Sequence, residues 1–144
     1  MTWATTVSGM TRGQLAPIER WHDAVNTGDA AGAGALCTAD VEVGGPRGSG
    51  YGRELVVEWV GHAGIRIRPV RWFCGTAPDG SSAAVVEQDA QWPDGSGGLT
   101  DAVRVATAFR LHDGVITSVV RHGDVGAALA GTGLTAGDEV LTRA

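Results

Sequence analysis

The sequence predicts an α+β fold, a cone-shaped half-barrel in which a curved antiparallel sheet carries three helices over its concave face. Three observations lead there. Apolar residues recur at helical spacing in three short segments of the first half. Four runs rich in β-branched residues, joined by hairpin-type turns, fill residues 65–124. Asp113-Gly114 stands between the last two of those runs, the strongest short-range signal for a hairpin closed by a type I′ turn. A chain of 144 residues with 43% hydrophobic content makes one domain with a core of its own. We divide it into a loose N-terminus at 1–12, the folded domain at 13–134 and a C-terminal tail at 135–144.

Leu15, Ile18, Trp21, His22 and Val25 mark the first helix, from about Gly13 to Asn26, with Pro17 in its first turn, where a missing N–H is harmless. Gly28 ends it, and Asp29 caps a second helix reaching Cys37, which Gly32 and Gly34 weaken by roughly 1 kcal/mol each relative to alanine. Asp40-Val-Glu-Val-Gly44 alternates as a brief strand. The following Gly45-Pro-Arg-Gly-Ser-Gly-Tyr-Gly52 is either a pocket-edge loop presenting Arg47 and Tyr51 or a connector that needs unusual backbone angles. It lacks the GxxxxGK[ST] pattern of a phosphate loop. A third helix, Arg53 to His62, puts Leu55, Val56, Trp59 and Val60 on or near one side. Strands follow at Ile65–Cys74, bent or bulged at Pro69, and at Ala83–Trp92, with a turn at Pro78-Asp-Gly-Ser81 between them. After the hairpin comes a short tail helix from Val125 to Gly131.

In the hairpin, a tight turn sets His112 opposite Val115, Phe109 opposite Ser118, Thr107 opposite Val120 and Val105 opposite His122. Side chains alternate between faces, so Thr107, Phe109, Ser118, Val120, His122 and Asp124 share one face with Val105 and Leu111. That face, apolar with a polar fringe, suits a pocket wall. Arg104, Arg110 and Arg121 occupy the other, which becomes an outer surface or a dimer interface. On the preceding strand, Ala84, Val86, Ala90 and Trp92 make an apolar face. Glu87 and Asp89 lie opposite, either outside near the arginines or as a buried pair with one raised pKa.

Net charge is −5, which disfavours nucleic acid or an anionic membrane as partner. All 11 basic residues are arginine, so lysine chemistry is absent. Cys37 and Cys74 have neither metal-ligand nor redox-pair spacing, and His22 and His62 have no partner spacing for a metal; neither metal nor cofactor is expected. With no signal peptide and no run long enough to span a bilayer, a soluble cytoplasmic protein is expected.

Several strings carry a family resemblance: Trp21-His-Asp-Ala-Val-Asn-Thr-Gly-Asp29, Leu36-Cys-Thr-Ala-Asp-Val-Glu-Val43, Gly52-Arg-Glu-Leu-Val-Val-Glu-Trp59, Phe109-Arg-Leu-His-Asp-Gly-Val-Ile116 and Asp124-Val-Gly-Ala-Ala-Leu129. Over about Leu15 to Leu134 the chain resembles the nuclear-transport-factor-2-like superfamily. Val41–Gly50, Arg71-Trp-Phe73 and Val86-Glu-Gln88 are similar to an uncharacterised bacterial branch with SnoaL-like domains. Measured against ketosteroid isomerases of that superfamily, the catalytic positions are vacant, with Trp21, Gly44-Gly45 and Thr107 standing there. Against epoxide hydrolases, Asp89 matches one acid but Glu87 stands where an arginine belongs. The resemblance to SnoaL-like cyclases implies Asp124 as an acid-base group for ring closure. His122, two residues before it on the same strand face, is placed to share its proton. The expectation is thus a small-molecule-binding domain, a homodimer, with a small apolar or aromatic ligand in a pocket shaped by Trp21, Trp59, Thr107, Phe109, Ser118, Val120 and Tyr51. Chemistry there would be cofactor-independent cyclisation or isomerisation. A catalytically silent binding or interaction domain is the competing reading, and an epoxide-hydrolase-like enzyme a second one.

Overall fold

A computed structural model of the chain describes residues 2–76 and 81–140, the side chains of residues 2–14 and of 76 aside. Met1, residues 77–80 and residues 141–144 lie outside the described residues, and most of the expected turn at Pro78–Ser81 falls among them. Helices α1 (Thr2–Thr27) and α2 (Ala30–Ala35) lead into a hairpin of β1 (Cys37–Gly45) and β2 (Gly48–Tyr51). Then come α3 (Arg53–Ala63), β3 (Arg66–Thr76), β4 (Ser82–Gln91), β5 (Val103–His112) and β6 (Val115–His122). Helix α4 (Val125–Thr132), a single 3-10 turn and β7 (Glu139–Val140) close the chain. The seven strands form one sheet in the order β2-β1-β6-β5-β4-β3-β7, antiparallel except where β1 runs beside β6.

The α+β arrangement with its unclosed, curved sheet is the expected one, and four local details differ. Helix α1 extends back to Thr2, so Pro17 is interior to it rather than in its first turn. Helix α2 ends at Ala35, and Cys37 already belongs to β1. The glycine-rich stretch after Gly44 is a hairpin rather than a loop, with Pro46 and Arg47 in an exposed turn. The tail is pinned to the sheet edge by β7, which pairs with Trp72 and Phe73 of β3. The kink at Pro69 is a bulge: Pro69 faces Gln88 and Arg71 faces Glu87, leaving Val70 as the extra residue.

Helices α1 to α3 cover the concave face. Ile18, Trp21, Val25, Ala33, Val56 and Val60 pack there against Val86, Val105, Phe109 and Leu111 of the sheet. Asn26 fixes the angle of α1 by acting as a strand would: its Nδ2 donates to the Ile67 carbonyl at 2.8 Å, and its Oδ1 accepts from the Ile67 N–H at 2.7 Å. Helix α4 lies on the opposite, convex face, where Ala128 and Leu134 pack on Phe73, Val85, Ala106 and Ala108. It thereby occupies the apolar part of the surface expected to serve a dimer. Beside it runs a ladder of ion pairs, Arg68–Asp89 at 2.6 Å, Arg104–Asp89 at 2.7 Å and Arg71–Glu87 at 2.7 Å. No described helix is long and apolar enough to cross a membrane.

The hairpin turn is as expected, with Asp113 at φ 52° and Gly114 at φ 77°, the two positive values a type I′ turn requires. The arms are not. His112 faces Val115 and Leu111 faces Ile116, but Arg110 then faces Ser118, which leaves Thr117 as a bulge. Beyond it every pairing moves by one: Phe109 faces Val119, Ala108 faces Val120, Thr107 faces Arg121 and Ala106 faces His122. Because a one-residue slip reverses every side chain, Ser118, Val120 and His122 turn outward, while Val119 and Arg121 turn inward. The gain is that apolar Val119, rather than Ser118, packs into the concave core, and Ser118 is satisfied outside by donating to Glu42 Oε1 at 2.9 Å.

Candidate functional site

Trp21 of α1 and Trp59 of α3 stack with ring centroids 6.3 Å apart and planes 11° from parallel. Trp21 also meets Phe109 edge-on at 6.2 Å, so the pair is braced from the sheet side. Below the indoles the sheet recedes and leaves a cavity of about 330 Å³. Its walls are Trp21, Trp59, Ile65, Ile67, Val105 and Val119; its polar groups are Gln88, Thr107 and Arg121. Val43 and the backbone of Gly44, Gly45 and Gly48 complete the rim. A Cβ added at Gly45 would meet nothing within 4 Å, so the missing side chain leaves open space there.

Of the residues expected to shape a pocket, Trp21, Trp59 and Thr107 do line it. Phe109 is fully buried behind Trp21 and is core. Ser118 and Val120 are on the far side of the sheet because of the bulge at Thr117. Tyr51 pairs with Glu42 on that same outer side and is 70% exposed. The expected catalytic pair is likewise outside. His122 sits near Gly131 of α4. Asp124 caps α4, its carboxylate accepting from the Ala127 N–H at 2.8 Å. Glu87 and Asp89 point outward into the ion-pair ladder, so they form neither a buried acid pair nor the acid arrangement of an epoxide hydrolase in the cavity. Arg104 is outside with them, and Arg110 donates to the Gly131 carbonyl at 3.0 Å; Arg121 alone of the three hairpin arginines faces in.

The polar groups at the cavity floor form one directed chain. His22 Nδ1 lies 2.8 Å from the Ile18 carbonyl, which can only accept, so this nitrogen carries the proton. Burial disfavours the charged ring and pushes its pKa down to about 4. The Nε2 lone pair of the neutral ring therefore faces Gln88 Nε2, which donates to it at 2.9 Å. That fixes the amide with Oε1 toward Thr107, whose hydroxyl donates at 2.8 Å. Thr107 is thus left with lone pairs to offer, and Gln88, 1% exposed, is held rigidly. Gln88 was legible in outline: it interrupts the apolar face of β4 between Val86 and Ala90, and a polar residue there needs partners.

Arg121 stands across from Thr107, with its guanidinium carbon 5.6 Å above the Trp92 ring. Its neighbour on β1 is Gly45, because Gly44 pairs with Val120 in parallel register. Among the described residues no group of three His, Cys, Asp or Glu side chains is arranged to hold a metal ion.

This sheet, with three helices over its concave side and a cavity beneath the first of them, defines the class of nuclear-transport-factor-2-like α+β domains. Within it the chain belongs to the SnoaL-like domain family, whose model matches residues 18–119. Solved structures of the same fold include a nuclear-transport-factor-2-like protein of unknown function from Cytophaga hutchinsonii, at TM-score 0.60 and 16% identity over 73% of this chain and 84% of that one. A candidate polyketide cyclase from Xanthomonas campestris superposes at TM-score 0.58 with 17% identity, covering 83% of this chain and 96% of that one. A computationally designed 17-OHP binder does so at TM-score 0.62 with 21% identity, covering 76% and 90%. At these identities the likeness is one of fold. No curated protein matches the chain in sequence.

Proposed function

We propose that this domain binds a small, flat, apolar or aromatic molecule between the Trp21–Trp59 pair and the concave wall of the sheet. The observation that carries the reading is an open cavity of about 330 Å³, apolar on most sides, into which one amide, one hydroxyl and one guanidinium converge. Such a chamber holds a ligand by apolar contact and orients it by a few polar groups. Amide, hydroxyl and guanidinium groups do not change protonation state near neutral pH, so the lining supports reversible binding more directly than acid-base cyclisation. The family and the candidate cyclase of the same fold support a cyclase-type activity; the position of Asp124 on the far side of the sheet does not. The designed 17-OHP binder supports a small-molecule ligand.

Titration with compounds the size of naphthalene, followed by tryptophan fluorescence and calorimetry, tests the reading. Saturable one-to-one binding is expected, weakened at least tenfold by Trp59→Ala and blocked by Gly45→Phe, which fills the open space at the rim. Binding that survives Gly45→Phe unchanged would place the ligand elsewhere and overturn the assignment.

A further inference from the structure

We propose, building on the binding function above, that Arg121 makes the cavity selective for planar apolar ligands that carry a carboxylate. Five arginines on or beside the sheet already have partners on the protein. Arg68, Arg71 and Arg104 are paired with Asp89 or Glu87, Arg110 holds the Gly131 carbonyl, and Arg53 holds the Cys37 carbonyl at 2.8 Å. Arg121 is turned inward by the Thr117 bulge and has no ion pair among the described residues. Its contact is the face of Trp92, and stacking on a ring leaves the in-plane N–H groups of a guanidinium free to donate.

Space and surroundings point the same way. Gly45 beside Arg121 puts no side chain between the guanidinium and the cavity, and an added Cβ there would touch nothing. Val119, on the same face of β6, and its partner Val43 are cavity wall beside it, so a carboxylate seated against the fork would be shielded from water on that apolar flank. In such surroundings a charge-assisted, two-point hydrogen bond is stronger than on the open surface. A ligand ring lying under Trp59 and Trp21 with its carboxylate at Arg121 satisfies the one cation that lines the cavity among the described residues.

The experiment compares 2-naphthoate with uncharged 2-naphthamide, equal in shape, on wild-type protein, Arg121→Met and Arg121→Lys, with thermal unfolding confirming that each variant folds. Wild type should prefer naphthoate at least tenfold. Arg121→Met should abolish the preference, weakening naphthoate at least tenfold more than naphthamide, and Arg121→Lys, which keeps the charge but loses the fork, should retain only part of it. Equal affinities in wild type, or a preference that persists in Arg121→Met, overturns the role of Arg121 and leaves the cavity reading standing. Failure of both compounds to bind wild type overturns the cavity reading and this inference together.

Discussion

Arg121 stands directly opposite Thr107 on the cavity side of the sheet. An unbulged hairpin would put Val120 there instead, and the chamber would then hold valine, serine and histidine where it now holds valine and a guanidinium. The exclusion of Thr117 from the ladder therefore decides the chemistry of the site.

Deleting Thr117 should leave the site standing. Without it Ser118 follows Ile116 and still faces Arg110, so Val119 and Arg121 keep the cavity side and Ser118 keeps its hydrogen bond to Glu42. The ladder becomes regular and no polar group is carried into the core, so the deletion should stay within about 1 kcal/mol of wild type. Thr117→Ala, which keeps the extra residue, should stay within about 0.5 kcal/mol. Denaturant midpoints and ligand titration measure both, and a deletion that abolished binding would show that the extra residue itself shapes the site.

Asp124 separates two roles that its position in the sequence does not. As the cap of α4 it should contribute about 1 kcal/mol, lost in Asp124→Ala and largely kept in Asp124→Asn, with ligand affinity unchanged in both. Turnover of an identified substrate that collapsed in Asp124→Asn, with stability intact, would return this residue to the acid-base role.

How much of this was legible beforehand follows from the physics of each signal. The Asp113-Gly114 turn, the Asp29 cap and the kink at Pro69 are local, and each is where the residues put it. The bulge is not local. Val119 and Val120 are adjacent valines, so the apolar pattern of β6 reads equally well in either register. The choice depends on parallel pairing with β1, where Val43 meets Val119 and Glu42 meets Ser118. The residue pattern alone therefore puts Ser118, Val120, His122 and Asp124 on the cavity face and Arg121 outside, the reverse of where the bulge places them. Trp21, Trp59 and Thr107 lie on elements whose faces are unambiguous, and they line the cavity.

The buried chain at the cavity floor predicts non-additive losses. Gln88→Leu leaves both the His22 Nε2 and the Thr107 hydroxyl without a partner, and Thr107→Val strands Gln88 Oε1. Each orphaned group costs about 1–3 kcal/mol, less for Thr107 because its hydroxyl borders the cavity and can meet water. The double variant should lose less than the sum of the singles by about 0.5 kcal/mol or more. Chemical denaturation of the four proteins closes the cycle, and strict additivity would mean that the amide and the hydroxyl are not coupled.

His22 gives the chain a pH dependence with a definite sign. Burial lowers its pKa from 6.5 to about 4, so between those values the unfolded chain binds a proton that the folded one does not. Stability therefore rises with pH across this window: the contribution is complete above pH 6.5 and is lost as pH falls toward 4. At 1.36 kcal/mol per pKa unit the loss is on the order of 3 kcal/mol. Asp89, held below the usual carboxylate range chiefly by its hydrogen bond from Arg104, loses its own contribution at lower pH, beneath this window. His22→Gln carries no titrating group, so the difference between wild-type and variant stability, measured by urea unfolding from pH 7 to pH 4, isolates the histidine. That difference should shift in the variant's favour by up to about 3 kcal/mol as pH falls. A difference independent of pH would mean that the folded and unfolded chains take up this proton alike, so that burial does not hold His22 neutral.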